Sequence, residues 1–210
     1  QKMKKSIGIL LGIFVAASTV FAANTKGEKK AFEIDTKESK VYWTGKKVTG
    51  EHTGHVSIGN GEVMLENGKV TGANVNMDLN TIVCTDLTDE QWNQKLVGHL
   101  KSDDFFSVEK YPVANFEITK IKPQSNGEHT VNGNLTIKGQ THEISFPAKV
   151  SNSNGMITAN GTAILDRTKW DIQYGSGKFF KGLGDNLIYD EFEITFDIKA
   201  KSDTQEISAD

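Results

Sequence analysis

Chemistry in this chain would have to start from five histidines, one cysteine and a few adjacent acids, and their spacing restricts what they can do. His52 and His55 are three apart, which on an extended strand sends the two rings to opposite faces. No third ligand follows at a spacing that zinc sites use, and His99, His129 and His142 are scattered singly. Cys84 stands alone; a nucleophilic thiol needs a basic partner, and none is identifiable along the chain. In a β-rich stretch such a cysteine reads as a small buried apolar side chain. A Gly-x-Ser-x-Gly elbow is missing, and Gly182-Leu183-Gly184 lacks the lysine and helix of a phosphate-binding loop. Asp89-Glu90 and Asp103-Asp104 read as helix-end and loop charges, and Gly175-Ser176-Gly177 as a mobile loop. The expectation is therefore a protein that is not an enzyme, with no catalytic residues, no metal and no cofactor.

The elements that frame these residues are mostly strands. Asn-Gly pairs occur at Asn60-Gly61, Asn67-Gly68, Asn126-Gly127 and Asn154-Gly155, between alternating apolar runs. Both residues tolerate the positive φ that two-residue hairpin turns require, so these four read as hairpin turns. Asn132-Gly133 and Asn160-Gly161 fall inside runs and read as bulges or as the bends a barrel needs to close. Phe192, Ile194, Phe196 and Ile198 share one face of the last run, with Glu191, Glu193, Thr195, Asp197 and Lys199 on the other. Val75, Met77 and Leu79 repeat the pattern, as do Ile144, Phe146, Ala148 and Val150, and Val131, Leu135 and Ile137. One apolar and one wet face per strand is the antiparallel signature. The exception is Thr88 to Leu100, where Trp92, Leu96 and Leu100 recur at helical spacing behind a Thr88/Gln91 capping box. About eight strands and one inserted helix favour an all-β, antiparallel barrel, because closure buries the apolar faces and removes exposed edges together.

Length and charge bound the rest. With 210 residues and 37% hydrophobic content the chain supports one domain with a substantial core. Residues 1–22 read as a cleaved signal peptide: Lys2, Lys4 and Lys5 precede an apolar run from Ile7 to Val20, with Ala22 at the cleavage position. Residues 23–30 read as a flexible lead-in, 31–201 as the barrel domain and 202–210 as a disordered tail. Losing three lysines takes the formal charge from −3 to −6, a poor match to nucleic acid or to an anionic membrane surface. Aromatics alternating with carboxylates, as at Glu191-Phe192-Glu193, also argue against nucleic acid. The single cysteine excludes an internal disulfide.

After the helix, Gly98-His99-Leu100-Lys101-Ser102-Asp103-Asp104-Phe105-Phe106, then Tyr111-Pro112 and Phe116-Glu117-Ile118, resembles the signature of the YceI-like family. Val131-Asn132-Gly133-Asn134-Leu135-Thr136-Ile137-Lys138-Gly139, Ala163-Ile164-Leu165-Asp166-Arg167-Thr168 and Trp170-Asp171-Ile172 extend the resemblance over roughly residues 31–201. One departure stands out: Val97-Gly98 replaces an Arg-Asp pair that many members carry before the His-Leu. The resemblance implies an extended lipocalin-like antiparallel barrel, periplasmic or secreted. Such a barrel sequesters a polyisoprenoid, an isoprenoid quinone or a fatty-acid-like amphiphile.

From alternation, the inward residues are Val41 and Trp43, Val75, Met77 and Leu79, Phe116 and Ile118, Leu135 and Ile137, Ile144 and Phe146, and Phe192, Ile194 and Phe196. Phe105 and Phe106 are expected to plug the interior beside Trp92. His99 and Ser102, where the helix ends, have two roles open, as helix-end partners or as contacts to a polar head group. Arg167 is open between a surface ion pair and an anionic head group. The expected partner is an isoprenoid or acyl lipid. A transient membrane-protein partner and a homodimer stand as further candidates, an interaction module as the alternative function. A hydrolase using His99 with Asp103 or Asp104 as acid and base is the enzymatic alternative.

Overall fold

A computed structural model describes residues 28–202; the expected signal peptide and most of the expected tail lie outside them. Within that span run β1 (Lys29–Ile34), β2 (Lys40–Lys47), β3 (Gly50–Glu66), β4 (Lys69–Cys84), α1 (Glu90–Lys101), β5 (Val113–Pro123), β6 (His129–Ile137), β7 (Gln140–Ser153), β8 (Met156–Asp166) and β9 (Ile188–Ser202). All pairings are antiparallel. Going round the sheet the order is β3-β2-β9-β8-β7-β6-β5-β4, and β4 returns to β3, which closes an eight-stranded barrel. β1 supplies no separate position. It pairs with the far half of β3, from Glu62 to Glu66, and with the end of β9, above the place where β2 has finished. Two boundaries differ from expectation: Lys29 and Lys30 already pair in β1, and Ser202 still belongs to β9.

Alternation around the barrel is the main determinant of which side chains meet. Phe192, Ile194 and Phe196 of β9 face Leu165, Ala163 and Gly161 of β8, and Gly45, Trp43 and Val41 of β2. The turns follow their chemistry. Asn67 and Gly68 join β3 to β4 with φ of 53° and 75°, and Asn154 and Gly155 join β7 to β8 with 52° and 72°. Asn126-Gly127 lies in the longer β5–β6 connection. Asn60-Gly61 is a correction: it is inside β3, beside a register shift between Ile58 and Asn60, and so bends a long strand instead of ending it. Lys138-Gly139, with φ of 50° and 71°, makes the β6–β7 turn instead. Gly133 and Gly161 lie within their strands as expected. A Cβ at Gly133 would fall 2.5 Å from the Phe116 ring, and one at Gly161 2.9 Å from that of Phe196, so both strands admit an aromatic ring at the inner wall.

The helix begins one residue later than its expected capping box. Asp89 is the cap, its carboxylate accepting from the Trp92 backbone N–H at 3.0 Å. Asn93 holds α1 to the barrel by donating to the carbonyls of Cys84 and Leu87. Trp92 is 56% exposed, with the Lys95 ammonium over its ring, so it does not join Phe105 and Phe106 in the interior as expected. Gly175-Ser176-Gly177 is likewise not an open loop: Gly175 and Ser176 are buried, and the Ser176 carbonyl accepts from the N–H groups of Phe179 and Phe180.

Candidate functional site

The barrel is not filled by its own side chains. A cavity of about 250 Å³ occupies the lumen, bounded by β2 to β9, by Ile34 of β1 and by Leu100 of α1. Apart from Thr44 and Arg167, every residue lining it is apolar or glycine. Its walls also explain an otherwise odd burial pattern: Val75, Met77, Phe116, Ile144, Phe146, Phe192, Ile194 and Phe196 pack against the core yet stay only partly buried. Phe146 forms an aromatic cluster at one wall, its centroid 5.5 Å from Phe116 and 5.4 Å from Phe196. Unfilled apolar space of this kind forfeits dispersion contacts that an apolar guest restores.

All fourteen residues assigned to the interior from alternation line this cavity, and so do Phe105 and Phe106, the two expected to plug it. Sequence reading missed Ile34, Ile82, Leu165, Ile172 and Ile188, which also line it. Leu165 continues the alternation of β8 and was legible in principle, whereas Ile82 falls out of phase with Val75, Met77 and Leu79 because the β3–β4 register shifts between them. Ile172 and Ile188 come from the connection after β8, which has no periodicity to read.

The polar residues proposed for a head group divide. His99 and Ser102, left open between helix-end partners and head-group contacts, do not line the cavity. The Ser102 hydroxyl and N–H both donate to the His99 carbonyl, closing the helix. His99 Nε2 lies 3.0 Å from the Asp104 carboxylate, and its ring packs edge-on against Phe105 and Tyr174. Asp103 is engaged by Lys110 at 2.8 Å instead.

Arg167 is different. It lines the cavity while being only 5% exposed, which rules out a surface ion pair. Its guanidinium donates to the carbonyls of Tyr189, Ile172 and Ile188, and Nη2 lies 3.6 Å from the Asp190 carboxylate. Burial lowers its pKa, with Asp190 and Asp166 opposing that fall. Asp166 precedes the short 3₁₀ turn Arg167–Trp170; its carboxylate accepts from Thr168 and from Lys178. Burial raises the Asp166 pKa, but those donors outweigh it and hold the group at about 2.

Among solved structures, the chain resembles BcnA from Burkholderia cenocepacia, with a TM-score of 0.62 and 25% identity over 80% of this chain and 99% of that one. It also superposes on a polyisoprenoid binding domain from Saccharophagus degradans implicated in plant cell wall breakdown, with a TM-score of 0.60, covering 82% and 99%. At 14% identity, that second likeness concerns the fold. A UPF0312 protein of Shewanella baltica (strain OS155 / ATCC BAA-1091) is 31% identical over 88 residues, 42% of this chain and 44% of that protein, so the match spans less than half of the relative. A UPF0312 protein of Shewanella sp. (strain W3-18-1) is 26% identical over 149 residues, 70% of this chain and 71% of that protein. The family model for the YceI-like domain matches residues 32–200, from within β1 to the end of β9. With its closed barrel, the one α-helix among the described residues and that match, the chain belongs to the YceI-like family.

Proposed function

We propose that the protein is a non-catalytic carrier that takes the tail of an isoprenoid or acyl amphiphile into its barrel, in the periplasm or outside the cell. The observation that carries this reading is the lumen, about 250 Å³ of space walled almost wholly by aliphatic and aromatic side chains. The polyisoprenoid binding domain of Saccharophagus degradans, which shares the fold, supports the ligand class. Removing a tail from water supplies roughly 0.8 kcal/mol for each CH₂ buried. The lumen sits just below the roughly 300–1,000 Å³ typical of ligand pockets, so a long chain enters by displacing wall side chains or leaves its head outside.

Calorimetric titration of delipidated protein with saturated and prenyl chains of increasing length tests the proposal. Affinity rises with chain length until the lumen is full and then levels off. Affinity independent of length, or no binding at any length, would refute it.

A further inference from the structure

His52, 34 residues before Asp86 in sequence, meets Cys84 and Asp86 on one face at the rim of the barrel. The register explains how. Gly54 of β3 faces Cys84, the last residue of β4, and the Thr85 N–H bonds to the Thr53 carbonyl. Carrying the ladder one step further sets Asp86 across from His52. Because strands alternate, positions 52 and 54 share a face with positions 84 and 86. Gly54 has no side chain because the Trp43 ring covers it: a Cβ there would fall 2.6 Å from that ring.

Three different donor atoms converge there. His52 Nδ1 lies 2.8 Å from one Asp86 oxygen, and Cys84 Sγ lies 3.2 Å from the other. All the candidate ligand atoms fall within 4.8 Å of one another. The Thr53 N–H donates to Asp86 at 2.8 Å and fixes the carboxylate in place. Cys84 is buried, while the His52 and Asp86 side chains keep 29% and 31% of their surface, which leaves a path from solvent.

We propose that His52 Nδ1, Cys84 Sγ and the Asp86 carboxylate bind one borderline-soft divalent cation, with zinc as the prototype. Imidazole, thiolate and carboxylate are the donors zinc takes, and three of them leave one tetrahedral position open. A magnesium or calcium ion would require oxygen donors throughout. Binding is an exchange: the sulfur–metal bond forms as the thiol proton leaves to solvent, and the His52 ring carries its proton on Nε2 in place of Nδ1 so that Nδ1 can coordinate, with one proton released for each ion bound. Burial raises the Cys84 pKa, so the thiol holds its proton until the metal replaces it. Asp86 is already ionised, since its hydrogen bonds from Thr53, His52 and Cys84 outweigh burial and hold it at about 2.

The ion would tie the start of β3 to the segment leading from β4 into α1. That cross-link is one a chain with a single cysteine cannot make with a disulfide. It would also sit beside the lumen, because His52 pairs with Gly45 of β2, which lines the cavity.

The test is titration of the full-length, untagged chain with cobalt(II), followed by zinc competition. The proposal requires a thiolate-to-cobalt charge-transfer band that saturates at one equivalent and is abolished by excess zinc. In Cys84→Ser the band disappears; in His52→Ala and in Asp86→Asn zinc affinity falls at least tenfold, while His129→Ala binds as the parent does. The Asp86→Asn variant keeps its shape and serves if Cys84→Ser fails to fold. No band in the parent chain, or a band and affinity unchanged in both His52→Ala and Asp86→Asn, overturns the site.

Discussion

Trp170 donates its indole N–H to the carbonyl oxygen of Leu135 at 3.1 Å, tying the 3₁₀ turn after β8 to β6, two strands away round the barrel. Trp170 is fully buried, with the His142 ring edge-on to it at 5.4 Å, and Leu135 lines the lumen. The contact therefore anchors the long connection between β8 and β9, which also carries Arg167 and Ile172 into the cavity wall.

Trp170→Phe removes that donor, leaves the Leu135 carbonyl without its partner and opens a void. The expected loss is about 2–3 kcal/mol, combining an unsatisfied buried acceptor with a cavity. Urea unfolding followed by circular dichroism measures it. A midpoint equal to the parent's would show that the turn is anchored elsewhere.

Acid should weaken the fold through two carboxylates. Asp86 and Asp166 are held at about 2 by their donors, whereas unfolded aspartates titrate near 3.9. A folded-state value below the unfolded one gives stability that is complete above about pH 4 and is lost as pH falls towards 2. Both side chains keep contact with water, so each contributes on the order of 1 kcal/mol. Asp166→Asn should flatten the decline in denaturation midpoint between pH 4 and 2; an unchanged slope would remove Asp166 as a cause.

Filling the lumen should block the guest without unfolding the barrel. Val75 projects into the cavity and is only partly buried, so Val75→Trp has room to expand inward. The variant is expected to keep its thermal midpoint within a few degrees and to lose at least tenfold in lipid affinity by calorimetry. His99→Ala, which removes a ring that packs behind Phe105 and does not itself line the lumen, is expected to bind lipid as the parent does. Equal affinity in Val75→Trp and the parent would move binding out of the barrel.

What alternation can encode was legible in the chain. The inward faces of β4, β5, β6, β7 and β9 follow from a period of two, and two of the Asn-Gly turns from positive φ. Asn60-Gly61 misled because a bulge and a turn ask for the same residues, and only the pairing partner tells them apart. Contacts made across the barrel were not legible. Arg167 looks like a surface charge until the Tyr189, Ile172 and Ile188 carbonyls surround it. His52, Cys84 and Asp86 look unrelated until the β3–β4 register sets them on one face. His99 and Ser102 had two roles open in the sequence, and only the fold shows the Ser102 hydroxyl and N–H closing α1 on the His99 carbonyl.

Occupancy of the lumen is the claim on which the account turns, and native mass spectrometry of the protein purified from its native host, followed by organic extraction, measures it directly. The account predicts a stoichiometric adduct that extracts as an isoprenoid or acyl species and is absent from Val75→Trp. A clean unliganded mass that stays unchanged after exposure to prenyl and acyl lipids would contradict it.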